Sequence, residues 1–244
     1  MLRAPGRAAA VVVPWLGDAD QRLRLAAARA LAIVPDDRAL AALGRVLADP
    51  DAEVREAAAR ALGMMGRPEA ARMLLGRLDD PVPLVREVVV DSLARIGDPG
   101  SVVPLLGKVQ EPTLSVRWRV VRALGELGDD RAASSLLLAM QDADPTVRAE
   151  ALGALGRLGV TAVVPSIAAA LRTEEDGEVR RRAVAALASL GSAAAVDVLV
   201  ESLRDPGPGV TVGDLAAALG AVGDGATPRL ERCLGGQPGT TMAR

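Results

Sequence analysis

Arginine recurs at positions 24, 55, 86, 117, 148 and 180. A guanidinium is a permanent cation with a planar fork of donors, so such a row suits phosphate oxygens or carboxylates. The chain supplies a carboxylate of its own for each one. Asp18, Asp49, Asp80, Glu111, Asp142 and Glu174 each stand six residues before an arginine. An aliphatic residue precedes each arginine: Leu23, Val54, Val85, Val116, Val147 and Val179.

Other chemistry is poorly provided for. The chain has no histidine, which removes histidine-based acid–base catalysis, the Ser-His-Asp triad and histidine metal ligation. A single cysteine, Cys233, gives neither an intrachain disulfide nor a multi-cysteine metal site. The glycine-rich run Gly153-Ala154-Leu155-Gly156-Arg157-Leu158-Gly159 has no strand before it and does not read as a nucleotide loop. No catalytic residue, cofactor or metal is therefore expected. The formal net charge of −2 argues against a broad electrostatic grip on nucleic acid. No long uncharged apolar stretch is present, so no membrane span is expected, and the reading favours the cytoplasm.

The arginines are spaced 31, 31, 31, 31 and 32 residues apart, which is the mark of stacked repeats. Half the residues are hydrophobic, yet Phe and Tyr are absent and Trp occurs twice. The buried layer must be Ala, Leu, Val, Ile and Met, and the first two are strong helix formers. In residues 36–66, Ala39, Leu40, Leu43, Val46 and Leu47 recur at helical spacing. Asp49-Pro50-Asp51 stops that helix and caps the next, and Gly66 ends the pair. The same ending returns at Gly97, Gly128, Gly159, Gly191 and Gly223.

First helices are expected at about 5–17, 36–48, 67–78, 98–109, 129–141, 160–172 and 192–203. Second helices are expected at about 21–34, 52–65, 83–96, 114–127, 145–158, 177–190 and 209–222. The seventh unit is degenerate, with Thr211 in the arginine's place and Pro206-Gly207-Pro208-Gly209 at its turn. A short helix near 227–234 closes a single domain over 1–234, and a flexible tail follows at 235–244.

The frame resembles HEAT repeats, and most of all the short bacterial variety called PBS-lyase HEAT-like repeats. Asp49…Val54-Arg55…Leu62-Gly63-Met64-Met65-Gly66 and Glu111…Val116-Arg117…Leu124-Gly125-Glu126-Leu127-Gly128 carry the likeness. It spans about residues 5–234. It implies an all-α, right-handed α-solenoid of about seven hairpins and a C-terminal half repeat, with second helices lining the concave side. It also implies that each turn acid and arginine form a ladder between adjacent repeats. Such pairs would fix the rotation of one repeat on the next.

With the ladder arginine as position zero, the apolar positions are −1, +3, +6, +7 and +10. Positions +1 and +5 face away from them, and the small residues at +8 (Ala32, Gly63, Ala94, Gly125, Gly156, Ala188) lie nearby. Fifteen arginines oppose seven acids on the six intact second helices; without the ladder, nine oppose seven. At +1 one residue stands out, Trp118, with Ala149 and Gly153 expected as a hollow beside it. Arg119, Arg122 and Arg181 are expected to flank it, with Glu87 and Asp91 setting polarity. Tryptophan and arginine are the types most enriched at binding hot spots. Packing of the indole against those arginines is the competing reading.

These residues point to a non-enzymatic scaffold that holds a protein partner on its concave wall. Nucleic-acid binding through the same arginines is the alternative. A further one is an accessory subunit resembling the bilin lyases or chaperones of the PBS-lyase relatives. Trp15 is expected to cover the exposed end of the stack.

Overall fold

A computed structural model describes residues 10–229 and 231 of the chain. Residues 1–9, Cys233 and the tail at 235–244 lie outside the described residues. So do 230 and 232–234 of the short helix expected at 227–234, while 227–229 and 231 are helical. The chain divides into two compact units, Met1–Leu127 and Gly128–Arg244. Both are made of α-helical hairpins, with no strand among the described residues. This is the α-solenoid construction. No helix among the described residues is long and apolar enough to cross a membrane.

The first unit opens with a 3-10 turn, Val13–Gly17. It continues through α1 (Gln21–Ile33), α2 (Leu40–Val46), α3 (Ala52–Met65), α4 (Pro68–Leu75), α5 (Pro83–Ile96), α6 (Val102–Leu106) and α7 (Leu114–Leu127). The second unit contains α8 (Ala133–Ala139), α9 (Pro145–Leu158), α10 (Val164–Thr173), α11 (Gly177–Leu190), α12 (Ala193–Ser202) and α13 (Val212–Val222). Odd-numbered helices are the second helices of their hairpins. In the first unit α1, α3, α5 and α7 pack on one another in that order, and in the second unit α9, α11 and α13 do the same.

Second helices match the sequence reading closely because each carries its own start and stop. Asp20, Asp51, Asp144 and Asp176 cap α1, α3, α9 and α11 by accepting from backbone N–H groups of the first turn. The glycines that end α3, α5, α9 and α11 have φ between +54° and +74°, a left-handed turn that disfavours any side chain. First helices are shorter than expected. Four of them begin as 3-10 turns, at Asp37–Ala39, Pro99–Ser101, Asp130–Ala132 and Thr161–Val163. In two of these the preceding aspartate takes up the start. Asp36 accepts from the Arg38 backbone N–H and pairs with its guanidinium, and Asp129 does the same with Arg131. The side-chain bond from arginine, ahead of the backbone one, lowers both carboxyls to about 2.

The interior is mostly aliphatic, with Arg55, Asp80, Ser92, Ser101, Glu111 and Arg180 also buried. Leu43, Leu62, Leu74, Leu93, Leu105 and Leu124 fill the first unit, and Leu136, Leu152, Leu155, Ile167, Leu187 and Leu199 fill the second. Trp15, near the start of the described residues, is 42 % exposed, and the adjacent Leu16 is buried.

The row at +8 is also placed differently. Gly63, Gly125 and Gly156 are buried, not on the open wall. A Cβ at Gly63 would sit 2.4 Å from Ser92 Oγ on α5 and 3.0 Å from Ser92 Cα. One at Gly156 would sit 3.0 Å from Ala186 Cα on α11. Successive second helices approach most closely at these points, and the missing side chain is what permits the approach. Ser92 uses the contact to donate its hydroxyl to the Ala59 carbonyl, 3.0 Å away on α3.

Between hairpins Arg24, Arg55 and Arg148 divide their donors in the same way. Arg55 gives Nε and Nη2 to Asp80 of the next turn at 2.8 and 2.9 Å, and Nη1 to the Asp49 and Pro50 carbonyls of its own turn. Arg24 does the same with Asp49, and Arg148 with Glu174. Arg86 reaches Glu111 with Nη2 alone, adds Thr113, and leaves Nε without a partner. Arg117 donates to the Glu111 carbonyl of its own turn at 2.7 Å.

Arg180 departs from the pattern. It donates to the Leu171, Glu174 and Pro206 carbonyls and pairs with no carboxylate. Asp205, which occupies the acid's place in the seventh unit, is exposed. The cause is the glycine-rich turn. Gly207 has φ +67°, and a Cβ there would fall 2.3 Å from Arg180 Nη2, so the loop backbone itself occupies the acid's position.

Burial, the largest single effect, pushes the Asp49 and Asp80 carboxyls up, but the bonds from Arg24 and Arg55 together with a backbone N–H and the nearby arginine charge hold both below the ordinary value. The Arg148 bond lowers Glu174 against a smaller opposing effect of burial. A depressed folded-state value stabilises the fold above the unfolded value and loses that contribution as pH falls through the folded one. Thermal stability should therefore be flat near neutrality and drop below about pH 4. Asp80→Asn should cost about 3–5 kcal/mol at pH 7, since it strands a buried guanidinium. Its acid limb should be shallower than wild type in melts run across pH; parallel limbs would contradict the assignment.

Gly63→Ala gives a second check. Helix propensity alone would favour alanine by about 1 kcal/mol. The clash with Ser92 should reverse the sign and destabilise by roughly 1–3 kcal/mol in urea denaturation. A more stable alanine variant would show that the helices do not need the gap.

Candidate functional site

The first unit gathers five of the expected site residues on the adjoining faces of α5 and α7. Glu87 and Asp91 project one turn apart from α5, while Trp118, Arg119 and Arg122 come from the middle of α7. Such a placement follows from the period. Asp91 and Arg122 are both at +5, 31 residues apart, and so sit side by side on neighbouring second helices.

Trp118 is half-buried. The guanidinium carbons of Arg119 and Arg122 lie over its ring, 4.2 and 4.9 Å from the centroid, within cation–π range. Both cations are themselves held. Arg122 Nη2 donates to Asp91 at 2.8 Å, and its Nε lies 3.5 Å from Glu126 one turn on. Arg119 donates to Asp91 at 3.3 Å and to the Ser115 carbonyl at 2.7 Å, with Glu87 at 3.4 Å. Ser115 completes the set by donating to Glu87. The indole is thus fixed by arginines whose positions are fixed by carboxylates, and part of the ring stays in solvent.

Two members of this cluster were not foreseen. Glu126 is legible as an i, i+4 partner of Arg122. Ser115 carries no signal beyond lying one turn before Arg119. Arg60, also at +5, pairs with Glu56 on its own helix, whereas Asp91 pairs with Arg122.

The remaining expected residues belong to the second unit. Ala149 is buried, contrary to its expected exposure. Arg182, from α11, reaches across to within 3.9 Å of where a Cβ on Gly153 would stand. Gly153 is half-buried beneath it. Arg181 is exposed, but its donors are engaged by Glu178 and by the Gly209 carbonyl at 2.8 Å.

Two further exposed arginines face carboxylates: Arg29 lies 3.7 Å from Glu53, and Arg182 lies 3.3 Å from Glu178. No group of three or more His, Cys, Asp or Glu among the described residues could hold a metal ion.

Residues 9–94, 78–142 and 134–220 match the HEAT repeats family. No curated protein matches the chain. Among solved structures it is similar to the complex of CpcE and CpcF of phycocyanin lyase from Nostoc sp. PCC7120. The TM-score is 0.58 at 22% identity, over 96% of this chain and 95% of that one. An engineered protein aligns at TM-score 0.59 and 22% identity, over 93% of this chain and 71% of that one. A designed armadillo repeat protein in complex with peptide (KR)4 aligns at TM-score 0.56 and 20% identity, over 74% of this chain and 98% of that one. At these identities the likeness is one of fold.

The tryptophan gives a direct test of the cluster. In a Trp15→Phe background Trp118 is the sole emitter. Replacing Arg119 and Arg122 by alanine should shift its fluorescence to longer wavelength and increase acrylamide quenching. The change in stability should stay within about 1 kcal/mol, as for other exposed pairs. Unchanged quenching would mean that the guanidinium groups do not cover the ring.

Proposed function

The chain belongs to the HEAT-repeat family, and we propose that it serves as a non-enzymatic scaffold that captures a protein segment on the wall formed by α5 and α7. One observation carries this reading. Trp118 is a large, partly solvated aromatic held in place by Arg119 and Arg122, which Asp91 and Glu87 fix in turn. An anchor ordered before binding loses little side-chain freedom when a partner arrives. The ring would take an apolar side chain, and the carboxylates and guanidinium edges around it would align the segment's backbone and polar groups. The designed armadillo protein with its bound peptide illustrates that a wall of stacked helices can hold an extended segment.

Nucleic-acid binding is less well supported. Arg119 and Arg122, the arginines beside Trp118, are paired with Glu87 and Asp91 and so are not free to displace counterions from a phosphate backbone. Affinity capture from the native cell should retain a protein with the wild-type chain. The Trp118→Ala, Arg122→Ala double variant should lose it, at a cost of about 2 kcal/mol or more if the ring is a hot spot. The complex should tolerate added salt. Equal capture by the double variant would dispose of this site, and a steep linear fall of log affinity with log salt would favour a nucleic acid instead.

A further inference from the structure

The arginine period slips once. Arg148 and Arg180 are 32 residues apart where every other interval is 31. The six-residue segment from acid to arginine is unchanged in that repeat, so the added residue falls in the first helix. There α10 continues to Thr173, directly before the acid Glu174, whereas α8 stops at Ala139, ahead of Met140, Gln141 and the acid Asp142. The Thr173 hydroxyl donates to the Ala169 carbonyl at 3.1 Å within the added turn.

A groove of about 830 Å³ lies where the two helix ends no longer match. Leu137, Met140, Ala169 and Ala170 line its apolar part, and Glu174, Glu175 and Asp176 its rim. Its one cation, Arg148, is committed to Glu174 through two bonds of 2.8 Å, so these two cancel. Glu175 and Asp176 remain. Glu175 is exposed, and Asp176 accepts only from the backbone N–H groups of Glu178 and Val179. Neither carboxylate has an arginine or lysine at ion-pair distance among the described residues.

We propose that this groove in the second unit is a binding site for a basic amphipathic peptide segment, in which an aliphatic side chain enters between α8 and α10 and an adjacent lysine or arginine meets Glu175 and Asp176. The volume lies within the roughly 300–1,000 Å³ of ordinary ligand clefts. Two independent features coincide here, the slip in the period and the uncompensated negative rim. The charge selects against acidic segments and against nucleic acid.

The test uses the whole chain and short fluorescent peptides that alternate lysine with leucine, glutamate with leucine, or lysine with serine. The lysine–leucine peptide should bind, and the other two should bind at least about tenfold more weakly. Glu175→Lys reverses an exposed charge without touching a packing contact. Ala169→Trp fills the groove from an exposed position. Each should weaken the lysine–leucine peptide by about tenfold, with helix content unchanged by circular dichroism. Trp118→Ala should leave the affinity unaltered, which separates this site from the wall of α5 and α7. No binding, equal binding of the glutamate–leucine peptide, or indifference to both groove variants would overturn the proposal.

Discussion

A guanidinium has more donors than one carboxylate can accept, and the stack is built on that surplus. In Arg24, Arg55 and Arg148, two nitrogens clamp the acid of the following turn while the third closes the turn that precedes the arginine's own helix. The acid is equally shared. Asp80 Oδ1 accepts from Arg55 and also from the Val82 backbone N–H, 3.0 Å away, so it orders its own turn while bound to its neighbour. Each pair therefore fixes a turn, a helix start and the step to the next hairpin together. Lysine, with one point of charge, could not divide itself this way. The same arrangement accounts for where the chain tolerates irregularity. The acid-to-arginine segment stays at six residues even where the period lengthens to 32, and the extra residue is absorbed by the first helix α10, outside that segment.

The stack was legible because its signals are local and repeated. An aspartate cap, an aliphatic face and a left-handed glycine together define α3, α9 and α11 without reference to anything distant, and those helices lie at their expected bounds. First helices were overextended, because helix-forming composition does not distinguish an α-turn from the 3-10 turn that Asp36 and Asp129 initiate through their side chains. The glycines at +8 show another limit. Angular position on an isolated helix placed them near the open wall. How tightly the next helix approaches is a property of the pair, and Gly63 exists to let Ser92 in.

The candidate site divides along similar lines. Which residues share the wall of α5 and α7 follows from the repeat, as Asp91 and Arg122 show. What their side chains do does not. Arg119 stands at +2, off the expected axis of exposure, yet its long stem carries the charge back over the indole and down to Asp91. An exposed ion pair adds little to stability. The pairs around Trp118 are better understood as positioning devices, since they restrict two flexible arginines to one geometry against the ring. Ala149 was placed on the open side by its angle on the helix, and it is buried.

Arginine thus performs two different tasks, and burial separates them. Arg55 has a side chain 9% exposed, and its partner Asp80 is fully buried, so breaking the pair leaves a charge without solvent to receive it. Arg122 is 35% exposed, and water can replace Asp91 at small cost. Only the second kind can exchange an internal partner for an external one on a timescale and at an energy compatible with reversible binding. Arg55 is therefore suited to holding the stack, not to exchanging partners. The proposed contacts fall instead at the less regular positions: the indole at 118 and the carboxylates at 175 and 176.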